Sequence, residues 1–333
     1  MKLHDRLVSV LSSVIVVFIA CAFVLMGTEK QVRPYIHTPI ARAVYERLMK
    51  EREFEEIDRD EWYRLNLDAI LSEDVRSKFI QMKWDVDTQK FVDQSSEKSS
   101  WIGTQLWHAL VTFVAGWKAS KTSLNGWLNR GSMFVFSESQ FLRLTGWKED
   151  HRSDSLLDLG AGDGNVTARF SRFFGEVFVT EVSSVMRKVL VSRGYQLKDV
   201  GQWDSEDDPQ KYSMISALNL LDRCDAPISL LKQIPKKLAK NGFVLIALVL
   251  PLNQYVENNA PTFAPSEIIG VRGRTTEEQV DSLVECVLEP LGYKLKSWTR
   301  LPYLCEGDLH QPYYWMHDIV LLLQHESAMI DEA

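Results

Sequence analysis

Residues Leu156 to Thr167 read LLDLGAGDGNVT. An apolar run, predicted as a strand, opens directly into Gly-x-Gly-x-Gly and then into a turn and a predicted helix, GDGNVTARFSRFF (162–174). Glycines at 160, 162 and 164 remove side chains where a backbone must pass close to a ligand. Amides at the start of the following helix can face polar groups of that ligand. The dinucleotide fingerprint has its third glycine one place later, as Gly-x-Gly-x-x-Gly. The shorter spacing argues against a dinucleotide.

Downstream, short β-rich runs alternate with helical stretches. EVFVTEVS (176–183) reads as a second strand and SSVMRKVLVSRG (183–194) as a helix. A weaker third strand falls near YQLKDVGQW (195–203), and MISALNLL (214–221) is a fourth. SLLKQIPKKLAK (229–240) reads as a helix stopped by Asn241-Gly242. FVLIALVLP (243–251) is apolar throughout, as expected of a strand covered on both faces. An irregular stretch with YVENNAPTFAPSE (255–267) precedes a predicted helix, EEQVDSLVECVLEPLG (277–292). Two strands with no helix between them follow, YKLKSWTRL (293–301) and YWMHDIVLLLQ (314–324). The pattern predicts an α/β fold: a Rossmann-like, doubly wound, seven-stranded sheet closed by a terminal β-hairpin.

Upstream of Ser153 the reading changes. Leu7 to Met26 is an uncharged apolar run, long enough to cross a bilayer as a helix. It exceeds the usual apolar core of a cleaved signal, so a retained signal-anchor is favoured over a cleaved signal peptide. Residues 38–64 read as one amphipathic helix or two, with a solvated charged face. The polar run from Gln89 to Ser100 reads as a loop, and Trp101 to Trp117 as an apolar helix whose His108 has no metal-spaced partner. The expected organisation is a signal or anchor over 1–29, a helical extension over 30–129, a catalytic domain over 130–326 and a tail over 327–333.

The chain has 333 residues, 45% hydrophobic and 25% charged, with a formal net charge of −7. That balance supports a large core and argues against a protein gripping nucleic acid over a broad surface. Four cysteines, at 21, 224, 286 and 305, include no C-x-x-C, so neither a disulfide framework nor a cysteine zinc site is indicated.

Asp158-x-Gly160-x-Gly162-x-Gly164 resembles motif I of the class I S-adenosylmethionine-dependent methyltransferases. The resemblance implies that Asp158 lies near the amino end of the methyl donor. It also implies that an acid at the tip of the second strand holds the ribose hydroxyls. Val177 to Thr180 runs straight into Glu181, and a carboxylate offers two oxygens to two hydroxyls. Ligands of open parallel sheets bind at the carboxyl ends of strands. The fourth strand ends in LNLLDRCD (218–225), which puts Asn219 at that end and Asp222 about one turn on. An amide can hold an acceptor nucleophile, and a carboxylate can take its proton or stabilise a cation. Turn capping would equally account for Asn219 and Asp222. Cys224 has no paired histidine and reads as a small buried residue.

Longer stretches narrow the resemblance. RGSMFVFS (130–137), LLDLGAGDGNVT, LNLLDRCD, ALVLP (247–251), YVEN (255–258) and TRLPYLCEGD (299–308), with Tyr313-Tyr314, resemble the DREV family of protein-L-histidine N-pros-methyltransferases. This family is also called methyltransferase-like protein nine. The resemblance implies methyl transfer from S-adenosyl-L-methionine to the pros nitrogen of histidine in His-x-His motifs of protein substrates. It implies that Glu181 binds the ribose, that Asn219 and Tyr303 lie against donor and acceptor, and that Asp222 and Tyr314 fix the target imidazole. It also implies an endomembrane, endoplasmic-reticulum setting, with the mitochondrion second, and membrane contact through the N-terminal segment if it is uncleaved. Neither nucleic acid nor metal is expected. Two other readings remain: a small-molecule methyltransferase, signalled by a deep closed pocket, and a non-catalytic donor-binding protein. Asn165-Val166-Thr167 also matches a glycosylation sequon, which a luminal protein would have to leave unused or hide by folding.

Overall fold

Apolar residues in adjacent positions separate the two sides of the sheet. Leu156 and Leu157, Leu245 and Ile246, and Leu321 and Leu322 each send one side chain to either face, and all six are buried. Runs of this kind need cover on both sides. A computed structural model describes residues 49, 57–100, 131–257, 261–308 and 311–329. The apolar segment Leu7–Met26, the predicted helix Trp101–Trp117 and most of the predicted helix 38–64 lie outside these residues.

Among the described residues one eight-stranded sheet forms. Its strands are β1 (Met133–Phe134), β2 (Ser153–Leu159), β3 (Phe174–Val179), β4 (Gln196–Leu197), β5 (Tyr212–Leu218), β6 (Leu238–Val249), β7 (Tyr293–Glu306) and β8 (Tyr313–His325). The spatial order is β1-β7-β8-β6-β5-β2-β3-β4. β2 to β6 pair in parallel, and β8 lies antiparallel between β6 and β7. The doubly wound α/β sheet and its terminal hairpin are as expected. The eighth strand is the two-residue edge β1, which pairs antiparallel with β7. The chain reverses its winding between β2 and β5, and the carboxyl ends of those neighbours frame the ligand crevice of such sheets.

Among residues 57–329 that are described, the α-helices are α1 (Glu73–Ser77), α2 (Val86–Ser100), α3 (Glu138–Thr145), α4 (Ser184–Ser192), α5 (Pro227–Lys237) and α6 (Thr276–Leu283). One face of the sheet packs on Leu231 and Ile234 of α5 and on Val280 and Leu283 of α6. The other packs on Phe141 and Leu144 of α3, on Phe170 and Phe173, and on Trp62, Tyr63, Phe91 and Val92.

Four local expectations are corrected. The run 89–100 is not a loop but most of α2. Asp85 caps it by accepting from the Thr88 amide at 2.9 Å. Its buried stripe is Thr88, Phe91, Val92, Ser95 and Ser99, a helical spacing built largely from hydroxyl residues. Of the expected helix over 38–64, Met49 is helical, whereas 57–64 hold a single 3-10 turn, Arg59–Trp62, leading into Tyr63; both Trp62 and Tyr63 are buried, so no solvated helix face continues there. After Gly164 the chain makes two 3-10 turns, Thr167–Arg169 and Ser171–Phe173, in place of one helix. Phe170, at φ −131°, breaks the run so that Phe170, Phe173 and Phe174 all enter the core. Finally, α5 stops at Lys237, before Asn241-Gly242. Leu238 is already extended and paired with Tyr212, and Asn241 turns left-handed (φ 56°) inside a bulge of β6.

Candidate active site

A cavity of about 690 Å³ opens where β2 and β5 end. Gly160, Gly162, Glu181, Asn219, Asp222 and Tyr303 line it, six of the nine residues expected at the site. The three loop glycines all have positive φ but serve different ends. A Cβ on Gly160 would meet the Leu220 side chain at 2.9 Å, and one on Gly164 would meet Leu190 and Tyr195 at 2.8 and 2.9 Å. A Cβ on Gly162 would meet nothing within 4 Å. Gly164 is thus demanded by packing, whereas Gly162 borders open space on the cavity wall.

The loop is tied to the end of β3. The Gly160 amide donates to Thr180 Oγ1 at 3.1 Å, Ala161 to the Thr180 carbonyl at 3.0 Å, and Gly162 to Glu181 Oε2 at 3.0 Å. These three turn amides are used inside the protein. Ser183 N donates to Glu181 Oε1 at 2.7 Å, so both oxygens of this buried carboxylate are oriented by backbone while the residue stays on the wall. Asp158 stands behind the loop, off the cavity wall. Its oxygens accept from Thr167 Oγ1 at 2.5 Å and Ser216 Oγ at 2.6 Å, and burial pushes its carboxyl up to about 6. It braces β2, β5 and the loop.

At the end of β5, Asn219 adopts φ 52°, a left-handed conformation that asparagine tolerates better than most residues. Its amide N–H donates to the Ala247 carbonyl at 2.9 Å, and its Nδ2 donates to Asp318 Oδ2 at 2.8 Å. Asp222 is buried. Its Oδ2 lies 3.1 Å from Arg223 Nε, and its Oδ1 has no hydrogen-bond partner among the described residues. Burial raises its carboxyl above the ordinary value, and the Arg223 guanidinium opposes that rise. The Tyr255 amide fixes the Asp222 carbonyl at 2.9 Å. Tyr303 is buried with its phenol on the Met133 sulfur, and desolvation holds it well above its usual value. Tyr314 does not join this group. It sits opposite Cys305 in the hairpin, exposed, with its phenol donating to Asp308 Oδ2 at 2.9 Å. Cys224 is on the wall, but burial pushes its thiol up to about 11, so it remains a thiol at neutral pH.

Sequence reasoning missed Asp318. This β8 carboxyl is fully buried and is pushed up to about 8, chiefly by desolvation. The available signal was a lone acid heading the apolar run IVLLL. Also unanticipated are Trp203, Val182 and Val200, which with Leu159 and Leu220 make an apolar stretch of wall.

The wall suits S-adenosylmethionine. Glu181 offers a backbone-fixed carboxylate for two hydroxyls, the apolar stretch offers a surface for a flat base, and the open side of Gly162 leaves room for close approach. The volume lies within the usual range for small-molecule sites.

A family model described as DREV methyltransferase matches residues 62–325. Solved structures with similar folds include the N-methyltransferase NodS from Bradyrhizobium japonicum WM9 in complex with S-adenosyl-L-homocysteine. It is 11% identical with a TM-score of 0.38, over 57% of this chain and 85% of that one. The glycopeptide N-methyltransferase MtfA complexed with S-adenosyl-L-methionine is 13% identical with a TM-score of 0.36, over 57% and 87%. A SAM-dependent methyltransferase from Methanosarcina mazei is 11% identical with a TM-score of 0.36, over 53% and 93%.

Proposed function

The chain belongs to the DREV methyltransferase family, and from that premise we propose that it methylates the pros nitrogen of histidine in protein substrates carrying His-x-His motifs. It is an S-adenosylmethionine-dependent methyltransferase; the histidine substrate is the part proposed. One observation carries the proposal: Asp222 is a buried carboxylate on the cavity wall with one oxygen held by Arg223 and the other without a partner among the described residues.

Neutral imidazole is a nucleophile and imidazolium is not. With an ordinary pKa of about 6.5, much of a histidine is neutral at physiological pH. A hydrogen bond at one ring nitrogen fixes the tautomer and leaves the other nitrogen its lone pair. Asp222 Oδ1 would accept the N–H of the tele nitrogen, so the pros lone pair is the one presented. S-adenosylmethionine, when bound, supplies an electrophilic methyl group on a sulfonium. As the ring gains positive charge, the Asp222 carboxylate stabilises it, and the tele proton then leaves through that carboxylate to water. Asn219 flanks the acceptor at the same strand end. Tyr303 stays a neutral phenol that walls out water.

The test mixes purified protein, S-adenosylmethionine and an Ala-His-Ala-His peptide, and locates the methyl group by mass spectrometry and NMR. Methyl on the pros nitrogen is expected. An unmodified peptide, with S-adenosylhomocysteine still bound, would point to a small-molecule acceptor.

The same reading sets the protein at endomembranes, with Leu7–Met26 as signal or anchor. Asn165 is compatible with a luminal domain: its Nδ2 donates to Ser132 Oγ at 2.8 Å and Asp163 Oδ2 at 2.5 Å, and the Thr167 hydroxyl is committed to Asp158. Recovery of uncleaved full-length protein in the cytosol would refute that location.

A further inference from the structure

Asn219 has two ends that differ chemically, one donating and one accepting, and only one can face the acceptor. The amide group is nearly symmetric in shape, so packing alone does not select an orientation. What selects it is a group that no motif marks. Asp318 comes from β8, 99 residues away in sequence, and lies directly behind Asn219 with its Oδ2 2.8 Å from Nδ2. It is wholly buried among Val249 of β6 and Leu301 of β7, its neighbours across the sheet. We propose that Asp318 is a positioning residue: its carboxyl holds the nitrogen end of the Asn219 amide, leaving the oxygen end for the cavity side. This rests on the reading of the cavity as the methyl-transfer site.

Three features support the assignment. Asn219 lines the cavity, and its Oδ1 has no hydrogen-bond partner among the described residues, so that acceptor is not committed inside the protein. The left-handed backbone at Asn219 and the bond from its backbone N–H to Ala247 fix where the side chain starts, and the bond from Nδ2 to Asp318 fixes where its amide ends. A buried carboxyl is costly to keep unless it is used, and Asp318 has no ion-pair partner among the described residues. The charged and titratable groups around it are Asp222 and Arg223 after β5, and Tyr303 and Cys305 on β7. Asp222 raises the Asp318 carboxyl further, while Tyr303 and Cys305 ionise well above it.

The test compares Asp318→Leu, which removes the acceptor at similar volume, with Asp318→Asn, which keeps an acceptor oxygen. With asparagine side chains labelled by ¹⁵N, the Asn219 amide protons, assigned by their loss in Asn219→Ala, are expected to be protected from exchange in wild type and Asp318→Asn. Protection should drop in Asp318→Leu. Turnover of the His-x-His peptide should fall about 10- to 100-fold in Asp318→Leu, the scale seen for outer-shell partners of metal ligands, with S-adenosylhomocysteine affinity nearly kept. Equal protection, or equal turnover, in Asp318→Leu overturns the proposal. If that variant does not fold, Asp318→Asn decides. An ionised carboxyl holds N–H more strongly than a neutral one, so wild-type turnover should rise across pH 7 to 9, and Asp318→Asn should lose that rise. An unchanged profile overturns the proposal. If wild type leaves the peptide unmethylated, the histidine reading fails, and amide exchange alone still decides the role of Asp318.

Discussion

Asp222 has two oxygens with different employment, one on Arg223 and one without a partner among the described residues. Asp222→Asn keeps the shape and the strand end but removes the charge. Turnover on a His-x-His peptide should fall about 10²–10³-fold, the scale for losing one preorganised electrostatic group, with S-adenosylhomocysteine affinity near wild type by calorimetry. Near-normal turnover would take Asp222 out of the chemistry, and lost donor affinity would make it a structural cap. The glycines divide more finely. Gly162→Ala puts a methyl where nothing lies within 4 Å, so it should cost only the left-handed strain, about 1–2 kcal/mol, yet abolish donor binding. Gly164→Ala adds a clash with Leu190 and Tyr195 to that strain, so its melting temperature should drop further than that of Gly162→Ala. Glu181, Asn219 and Asp222 were legible because strand ends and motif spacing place them. Asp158 was not, because the sequence does not reveal that Thr167 and Ser216 take both its oxygens. Tyr314 stands two residues beyond Met316, opposite Cys305 rather than Tyr303, and that distance puts it on the exposed rim. Asp318 escaped because its partner is remote in sequence.

Among the elements, the segment 57–100 binds the sheet far more closely than its charge suggests. Trp62 stacks on Trp315 at 5.1 Å and meets Trp84 and Tyr313 edgewise or tilted. Trp298 of β7 donates its indole N–H to the Val75 carbonyl at 2.7 Å; its carbonyl accepts from the Ile80 amide at 2.8 Å, and its amide donates to the Lys78 carbonyl at 3.1 Å. Trp62→Ala should cost about 3–5 kcal/mol in denaturant unfolding, as for other buried aromatic truncations. Because Trp62 is off the cavity wall, the folded fraction should bind S-adenosylhomocysteine normally; a loss of affinity without a loss of stability would contradict this placement. The strands were legible because apolar runs between glycine and polar turns admit few alternatives. α2 was not, since three of the five residues in its buried stripe, Thr88, Ser95 and Ser99, carry hydroxyls, and hydropathy marks only Phe91 and Val92. The end of α5 was misplaced for another reason: Asn241-Gly242 is a genuine turn signal, but it serves a bulge in β6 after the helix has already stopped.

For the molecule as a whole, the buried acids set a pH dependence. Asp158 and Asp318 are held at about 6 and about 8, above the ordinary carboxyl value, so the unfolded chain gives up these protons first. Stability therefore falls as pH rises from the ordinary value through each folded value. His151 and His317, held low by burial, act oppositely, but nearer the ordinary histidine value of about 6.5. Between about pH 7.5 and 9 the Asp318 effect should stand alone among these four. The wild-type melting temperature should decline there and that of Asp318→Asn should not; parallel declines would remove Asp318 as the source. The position of β8 has another consequence, for synthesis. It is the last strand of the sheet to leave the ribosome, yet it belongs between β6 and β7. Until it arrives, two long apolar strands each present an unpaired edge, the arrangement that invites association with other chains. A message truncated after Gly307 would yield not a weakened enzyme but a client for chaperones, and the cavity, though its glycine loop is made much earlier, would wait on the hairpin's last strand for Met316 on its wall and for Asp318 behind Asn219.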